Sequence, residues 1–184
     1  MRWTLLCLLL VACDKTPNQD SVPAPTPSPQ AAAAEPAEPS PPKASAIETT
    51  AEGVTQRSYD ASSYTVTVTA PACKPKENCT ALLEVAAKAG YHVNKDYPTK
   101  FLASTAPGVA FKGKDKPEEF SQTAGDFAVP SETKGVMTVR FEGDGSGQLA
   151  RIAGKYKFSV CSDASCQRAD TEIELPVPLQ SAKP

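Results

Sequence analysis

The chain has 184 residues, a formal net charge of −2 and a single histidine, His92. The nearly balanced charge gives no electrostatic argument for nucleic-acid binding, and one histidine leaves no credible Ser-His-Asp catalytic set. The span 54–180, about 127 residues, is long enough to bury the hydrophobic core of one domain.

The N-terminus predicts an export signal. Met1 and Arg2 precede an apolar run of about a dozen residues, whereas a transmembrane helix needs about 20. The run ends in Leu10-Val11-Ala12-Cys13, which resembles the bacterial lipobox, whose cysteine is acylated after the signal is cut away. We therefore expect residues 1–12 to be a lipoprotein signal peptide and Cys13 to be lipidated, which would hold the protein on a membrane of the cell envelope, facing the periplasm. An ordinary signal peptide is the alternative, and the sequence does not choose between inner and outer membrane.

Residues 13–53 are predicted to be a disordered tether. Nine of the 18 prolines lie between Asp14 and Ala46, and that stretch has no aromatic residue. Such a composition cannot bury enough apolar surface to offset the entropy of ordering, and prolines favour extended conformations. A Pro-rich docking ligand is the alternative interpretation.

Residues 54–180 predict an all-β domain. Tyr64, Val66 and Val68 alternate with threonines, which is typical of a half-buried strand, and we take this as the first strand of the domain. The segment after Cys79, TALLEVAAKAG, is rich in helix formers, but its alternation favours a strand. Eight or nine short strands, with glycine-rich turns such as residues 143–147, predict an immunoglobulin-like β-sandwich.

The stretch from Tyr156 to Val177 predicts a hairpin with a cysteine at each end of a polar four-residue turn. If Cys161 and Cys166 are directly opposed, their Cα atoms lie about 4.5 to 5.5 Å apart, which a disulfide accepts. A reversible disulfide is geometrically easy here. The pattern leaves open whether it is a redox site or a structural bond.

Four cysteines besides Cys13 follow the predicted signal, and an oxidising compartment favours disulfides. Of the three pairings we favour the two local ones, Cys161 with Cys166 and Cys73 with Cys79. Loops this short contribute only about 2 to 2.5 kcal/mol each in the chain-entropy model. We interpret Cys73–Cys79 as structural, because it brackets a charged loop.

The cysteine spacings do not match the usual zinc sites, so we predict no metal and no cofactor. His92 is interpreted as a packed or rim residue rather than a catalyst.

Three stretches together resemble the N-terminal periplasmic immunoglobulin-like domain of DsbD-type thiol-disulfide interchange proteins. They are Gly90-Tyr91-His92-Val93-Asn94 with Tyr97-Pro98, the segment from Gly108-Val109 to Glu118-Glu119-Phe120, and the Cys161–Cys166 hairpin with its return strand. In that family a cysteine pair passes electrons to thioredoxin-fold partners, and a loop with an acidic residue and an aromatic cap shields the pair.

The resemblance implies roles for particular residues. Cys161 and Cys166 match the redox pair, with Cys166 as the cysteine that forms mixed disulfides, while Glu119 and Phe120 match the cap. For Phe120, an ordinary core position is the alternative. This sequence departs from the family in having one residue fewer between the cysteines and in its extra pair, Cys73 and Cys79.

Two functions are therefore expected. The first is thiol-disulfide exchange with a thioredoxin-fold partner by a lipid-anchored envelope protein; Arg168, on the face of Cys166, would favour a thiolate there and Asp163 would oppose it. The alternative is a non-catalytic envelope lipoprotein that acts as a binding or assembly module, with disulfides that only stabilise it.

Overall fold

The computed structural model describes residues 40–145 and 148–180. The predicted signal peptide, Cys13 and most of the predicted tether lie outside these residues. The described part contains thirteen strands and no helix. The strands are β1 (Lys43–Ala44), β2 (Glu48–Thr49), β3 (Thr55–Asp60), β4 (Tyr64–Ala70), β5 (Asn78–Ala87), β6 (His92–Val93), β7 (Lys100–Ala103), β8 (Val109–Phe111), β9 (Glu119–Ser121), β10 (Phe127–Ser131), β11 (Lys134–Gly143), β12 (Leu149–Cys161) and β13 (Cys166–Pro178).

The strands form two antiparallel sheets. One has eight strands in the order β1-β3-β4-β5-β11-β10, with β2 added beside β3 and β8 beside β11. The other has five strands in the order β13-β12-β7-β9, with β6 added beside β12. Inward-facing side chains of both sheets share one hydrophobic core, so the predicted all-β sandwich is confirmed.

The helix-forming segment after Cys79 is a strand, as its alternation predicts. In β5, Ala81, Leu83 and Val85 are fully buried, while the residues between them point away from the core. Strands β4 and β11 pair with β5 on its two sides. Pairing on both sides and burial of every second residue therefore override the local helix propensity.

The prediction that Tyr64 begins the first strand is wrong, because β3 precedes it and pairs with β4 along its whole length. Strand β3 reads TQRSYD and contains no aliphatic residue, so it lacks the apolar alternation that marks the other strands. The two-residue strands β1 and β2, which are exposed, in turn pair with β3.

The core is built from large aromatic and aliphatic side chains of both sheets. The ring of Tyr64 meets Phe158 edge to face at 4.8 Å between centroids, joining β4 of one sheet to β12 of the other. The largest fully buried side chains are Tyr156, Phe101, Phe120, Phe141, Phe158, Leu83, Met137, Ile152, Leu175, Val66, Val68 and Val85.

Two buried tyrosines differ in whether their hydroxyl groups have partners. The Tyr59 hydroxyl accepts a hydrogen bond from the Glu174 N–H at 2.6 Å and donates one to the Glu174 carbonyl at 2.9 Å. The Tyr156 hydroxyl is fully buried and has no partner among the described residues, and burial raises its pKa above the ordinary value.

We expect the same substitution at these two positions to have different effects on stability. Tyr59→Phe leaves the Glu174 N–H without its acceptor, whereas the Glu174 carbonyl keeps a hydrogen bond from Arg57 Nη1. The substitution should lower the free energy of unfolding by about 1 to 2 kcal/mol. Tyr156→Phe removes an unsatisfied buried group and should leave that free energy unchanged or raise it by about 1 kcal/mol. Urea unfolding of both variants is the measurement, and a larger loss for Tyr156→Phe would contradict the expectation.

Because the described residues form no helix, none of them belongs to a helix that could cross a membrane.

Candidate functional site

The candidate site is the tip of the hairpin formed by β12 and β13. These strands pair in one continuous register from Leu149 opposite Pro178 to Cys161 opposite Cys166. A disulfide joins the two cysteines, with Cα atoms 3.9 Å apart, which is closer than the sequence-based estimate. Beyond the bond, at the tip of the hairpin, the Ser162 N–H donates to the Ser165 carbonyl at 2.9 Å and closes the turn.

The two sulfur-bearing residues differ in exposure. Side chains of β12 alternate between the core and the outer face of the sheet, and Cys161 follows the core residue Val160 onto the outer face. Cys161 is nevertheless only 5% exposed. Cys166 is exposed, and it is the only cysteine of the described residues in that class. Solvent therefore reaches the Cys166 residue, while Cys161 is shielded from it.

The β6–β7 connection lies beside the disulfide. The Asn94 N–H donates to the Ser159 carbonyl at 2.9 Å, which extends the pairing of β6 with β12. The Asn94 side-chain Nδ2 lies 3.9 Å from the Cys166 sulfur, within reach of a weak N–H···S hydrogen bond. In the sequence, Asn94 stands out only as part of the stretch that resembles DsbD-type domains. The Asn-x-Asp spacing of Asn94 and Asp96 is a turn signal, but it carries no information about a sulfur contact.

An open groove of about 560 Å³ adjoins this end of the hairpin. His92, which is opposite Cys161 in the register, and Asn94 line it on the side of the disulfide. Lys95, Asp96 and Glu132 also line it, so the groove carries both signs of charge. Neither cysteine lines the groove, which adjoins the disulfide through His92 and Asn94.

The outer face of the hairpin carries paired charges below the disulfide. Lys157 binds Asp170 at 2.9 Å and Lys155 binds Glu172 at 3.1 Å. The hydrogen bond that Lys157 donates to the Asp170 carboxylate is the main reason that the pKa of Lys157 is raised. Arg168 lies on the same face between this ladder and Cys166, as the regular alternation of β13 requires.

Phe120, predicted as an aromatic cap, lies in the core. It is fully buried in β9 opposite Phe101, and its ring centroid lies 6.3 Å from those of Phe101 and Phe111. The Arg140 guanidinium stacks on the ring at 5.7 Å. Among the described contacts, none joins Phe120 to Cys161 or Cys166, so these contacts favour the core interpretation over the cap.

Glu119, the predicted acidic member of the cap, is held by lysines. Lys100 contacts it at 2.8 Å and Lys116 at 3.4 Å, and the hydrogen bond from Lys100 is the main reason that the pKa of Glu119 is lowered. The charged segment before it is also tied down, since Lys114 lies 3.6 Å from the buried Asp126. These ion pairs therefore hold the charged segment against neighbouring parts of the same domain.

The second disulfide joins Cys73 and Cys79 across the loop that leads into β5. Cys73 is 1% exposed. Its N–H donates to the Pro178 carbonyl at 3.1 Å, and its own carbonyl accepts from the Gln180 N–H at 2.8 Å. The disulfide thus ties the start of β5 to Cys73, whose backbone is hydrogen-bonded to the end of β13, far along the hairpin from Cys161 and Cys166.

Within residues 40–145 and 148–180, no three His, Cys, Asp or Glu side chains are grouped so that they could hold a metal ion. Comparison of the chain with protein-family models, with curated proteins and with solved structures gave no match.

Proposed function

We propose that the domain exchanges its Cys161–Cys166 disulfide with a dithiol of a thioredoxin-fold partner. The observation that carries the proposal is the unequal exposure of the two cysteines at the tip of the hairpin. An exposed cysteine bonded to a buried one gives an attacking thiolate a preferred target, the sulfur of Cys166. The adjoining groove and the resemblance of this hairpin to the redox site of DsbD-type domains support the same function.

The exchange takes two steps. A thiolate of the partner attacks the Cys166 sulfur, the Cys161–Cys166 bond breaks, and Cys161 leaves as a thiolate that takes up a proton. The partner's second thiol loses its proton and attacks the partner's own sulfur in the mixed disulfide, which releases Cys166 as a thiolate. Two electrons pass to this domain, whose disulfide becomes a dithiol, while the partner's dithiol becomes a disulfide. The same steps in reverse oxidise the domain.

The location of this chemistry belongs to the proposal as well. The lipobox-like residues before Cys13 support a lipid anchor that holds the domain at a membrane of the cell envelope, facing the periplasm. If Cys13→Ser left the protein in the membrane fraction to the same extent, this part of the proposal would be wrong.

We expect the reduction potential of Cys161–Cys166 to lie between about −120 and −270 mV, the range of exchanging thioredoxin-fold dithiols. Equilibration with glutathione buffers, followed by alkylation and mass spectrometry, measures it for each pair separately. The Cys73–Cys79 pair serves as the internal control and should fall below about −300 mV. A value below about −300 mV for Cys161–Cys166 would overturn the proposal in favour of a binding or assembly module with structural disulfides.

The single-cysteine variants test which sulfur reacts. Cys161→Ala leaves the Cys166 thiol, which should displace a small aromatic thiol from a thioredoxin whose only cysteine carries it as a mixed disulfide. Cys166→Ala leaves the shielded Cys161 and should react at least about tenfold more slowly, because access governs exchange. Equal rates would contradict the assignment of Cys166 as the attacked sulfur.

A further inference from the structure

We infer that Asn94 is a further residue of the exchange site, whose side-chain amide donates a hydrogen bond to the Cys166 sulfur and stabilises its thiolate. This inference rests on the proposed function. The distance of 3.9 Å between Asn94 Nδ2 and Cys166 Sγ is the observation behind it. Neither the periodicity of the sequence nor the resemblance assigns Asn94 a role.

The amide is held in place from two directions. The main-chain N–H of Asn94 donates to the Ser159 carbonyl at 2.9 Å, which fixes the residue beside β12. The Asn94 Oδ1 accepts a hydrogen bond from the Asp96 N–H at 3.0 Å. Because the oxygen is engaged with the backbone of its own turn, the NH₂ end of the amide is the end that meets the sulfur.

A donor placed against this sulfur acts when the disulfide is reduced. Hydrogen bonding to the charged form of a group favours that form, so the Asn94 amide lowers the pKa of the Cys166 thiol. A larger thiolate fraction makes Cys166 the nucleophile toward an oxidised partner. A lower pKa also makes Cys166 a better leaving group when the partner's second thiol resolves the mixed disulfide. Cys161 gains neither advantage from Asn94.

Other charged or titratable groups lie at this end of the hairpin or line the adjoining groove, and they are kept constant in the test. They are Arg168 on β13, Asp163 in the hairpin turn, His92 on β6, Lys95 and Asp96 in the β6–β7 connection, and Glu132 after β10.

The test is the pH dependence of iodoacetamide alkylation of Cys166 in the reduced full chain, followed by peptide mass spectrometry so that each cysteine is measured separately. Asn94→Ser keeps a neutral acceptor for the Asp96 N–H but is too short to reach the sulfur. We expect it to raise the pKa of Cys166 by about one unit, the size of a hydrogen bond to a charged group. Asn94→Asp keeps the acceptor as well, and should raise this pKa further because its carboxylate repels the thiolate.

Gln122→Ala is the matched control. Gln122 Nε2 donates to the Lys95 carbonyl at 2.6 Å, so its removal loosens the same connection without touching the sulfur. We expect it to leave the pKa of Cys166 unchanged. An unchanged pKa in both Asn94 variants, or an equal rise in Gln122→Ala, would overturn the inference, because Asn94 would then only shape the turn.

The two proposals fail separately. A reduction potential in the exchanging range with no pKa response to Asn94→Ser would overturn the role of Asn94 and leave the proposed function standing. A reduction potential of Cys161–Cys166 in the range of structural disulfides, together with a raised pKa of Cys166 in Asn94→Ser, would overturn the exchange function. Asn94 would then contact Cys166 without a role in exchange.

Discussion

Replacing Phe120 with alanine is expected to destabilise the domain by about 3 to 5 kcal/mol, the usual cost of deleting a large buried aromatic side chain. Phe120 is fully buried between Phe101 and Phe111, and the Arg140 guanidinium stacks on its ring. The substitution removes all of these contacts and leaves a cavity between the sheets. Urea unfolding of the oxidised protein measures the loss.

The same variant also tests the predicted cap. A core residue predicts a large loss of stability with little change, in the folded protein, in the rate at which small thiols reduce Cys161–Cys166. A cap predicts faster reduction of Cys161–Cys166 by small thiols with little loss of stability. Leu102→Ala is the control, since Leu102 is 37% exposed on the strand beside Phe120 and should cost less than about 1 kcal/mol. Faster reduction of Phe120→Ala at nearly unchanged stability would contradict the core interpretation.

Gly154→Ala is expected to lower the free energy of unfolding by about 3 kcal/mol or more. Glycine is required at this position both by the backbone conformation and by the close approach of a neighbouring strand. Gly154 lies in the middle of β12 with a φ of +155°, in a region that residues with a side chain rarely adopt. A Cβ there would lie 2.8 Å from the Ala103 Cα of the neighbouring strand and closer still to the Leu102 carbonyl oxygen. Both atoms belong to the backbone, so relieving the clash means separating β7 from β12.

Gly90→Ala separates the two contributions. Gly90 has a φ of +80°, yet a Cβ built on it meets nothing within 4 Å. Gly90→Ala should therefore lower the free energy of unfolding only by the conformational strain, about 1 to 2 kcal/mol. Chemical denaturation of both variants provides the comparison. If Gly154→Ala cost no more than Gly90→Ala, the close approach of the strands would not be the reason for glycine in β12.

The strands that can be predicted from the sequence are those in which buried apolar side chains alternate with polar ones. Tyr64, Val66 and Val68 alternate with threonines because β4 has one buried face, and the hairpin was predictable for the same reason. Strand β3 was missed because its place in the sheet comes from backbone pairing with β4, which leaves little trace in TQRSYD. A polar strand that pairs mainly through its main chain cannot be recognised by a search for apolar alternation.

The candidate site likewise has features that the sequence predicts and features that it does not. The pairing of Cys161 with Cys166 follows from the turn length and the alternation of two adjacent strands, which are local properties. The contact of Asn94 with Cys166 joins residues 72 positions apart, and the pairing of His92 with Cys161 likewise brings β6 to β12 from a distant part of the chain. Such contacts depend on how β6 settles against β12, and no local pattern encodes that. The local sequence is also ambiguous at Phe120, because an aromatic residue after a charged segment fits both a cap and a core strand.

The in-register position of Cys161 and Cys166 bears on how the hairpin is assembled. The cysteines are five positions apart, so their bond closes a very short loop and can form before distant strands meet. Once formed, it defines which residue of β13 faces each residue of β12, and a slip by one position would turn Phe158 and Val160 away from the core. In the folded domain the remaining pairs hold that alignment without the bond. Opening the bond, as the proposed exchange requires, would therefore leave the register of the hairpin in place, because the other backbone pairs of β12 and β13 fix it.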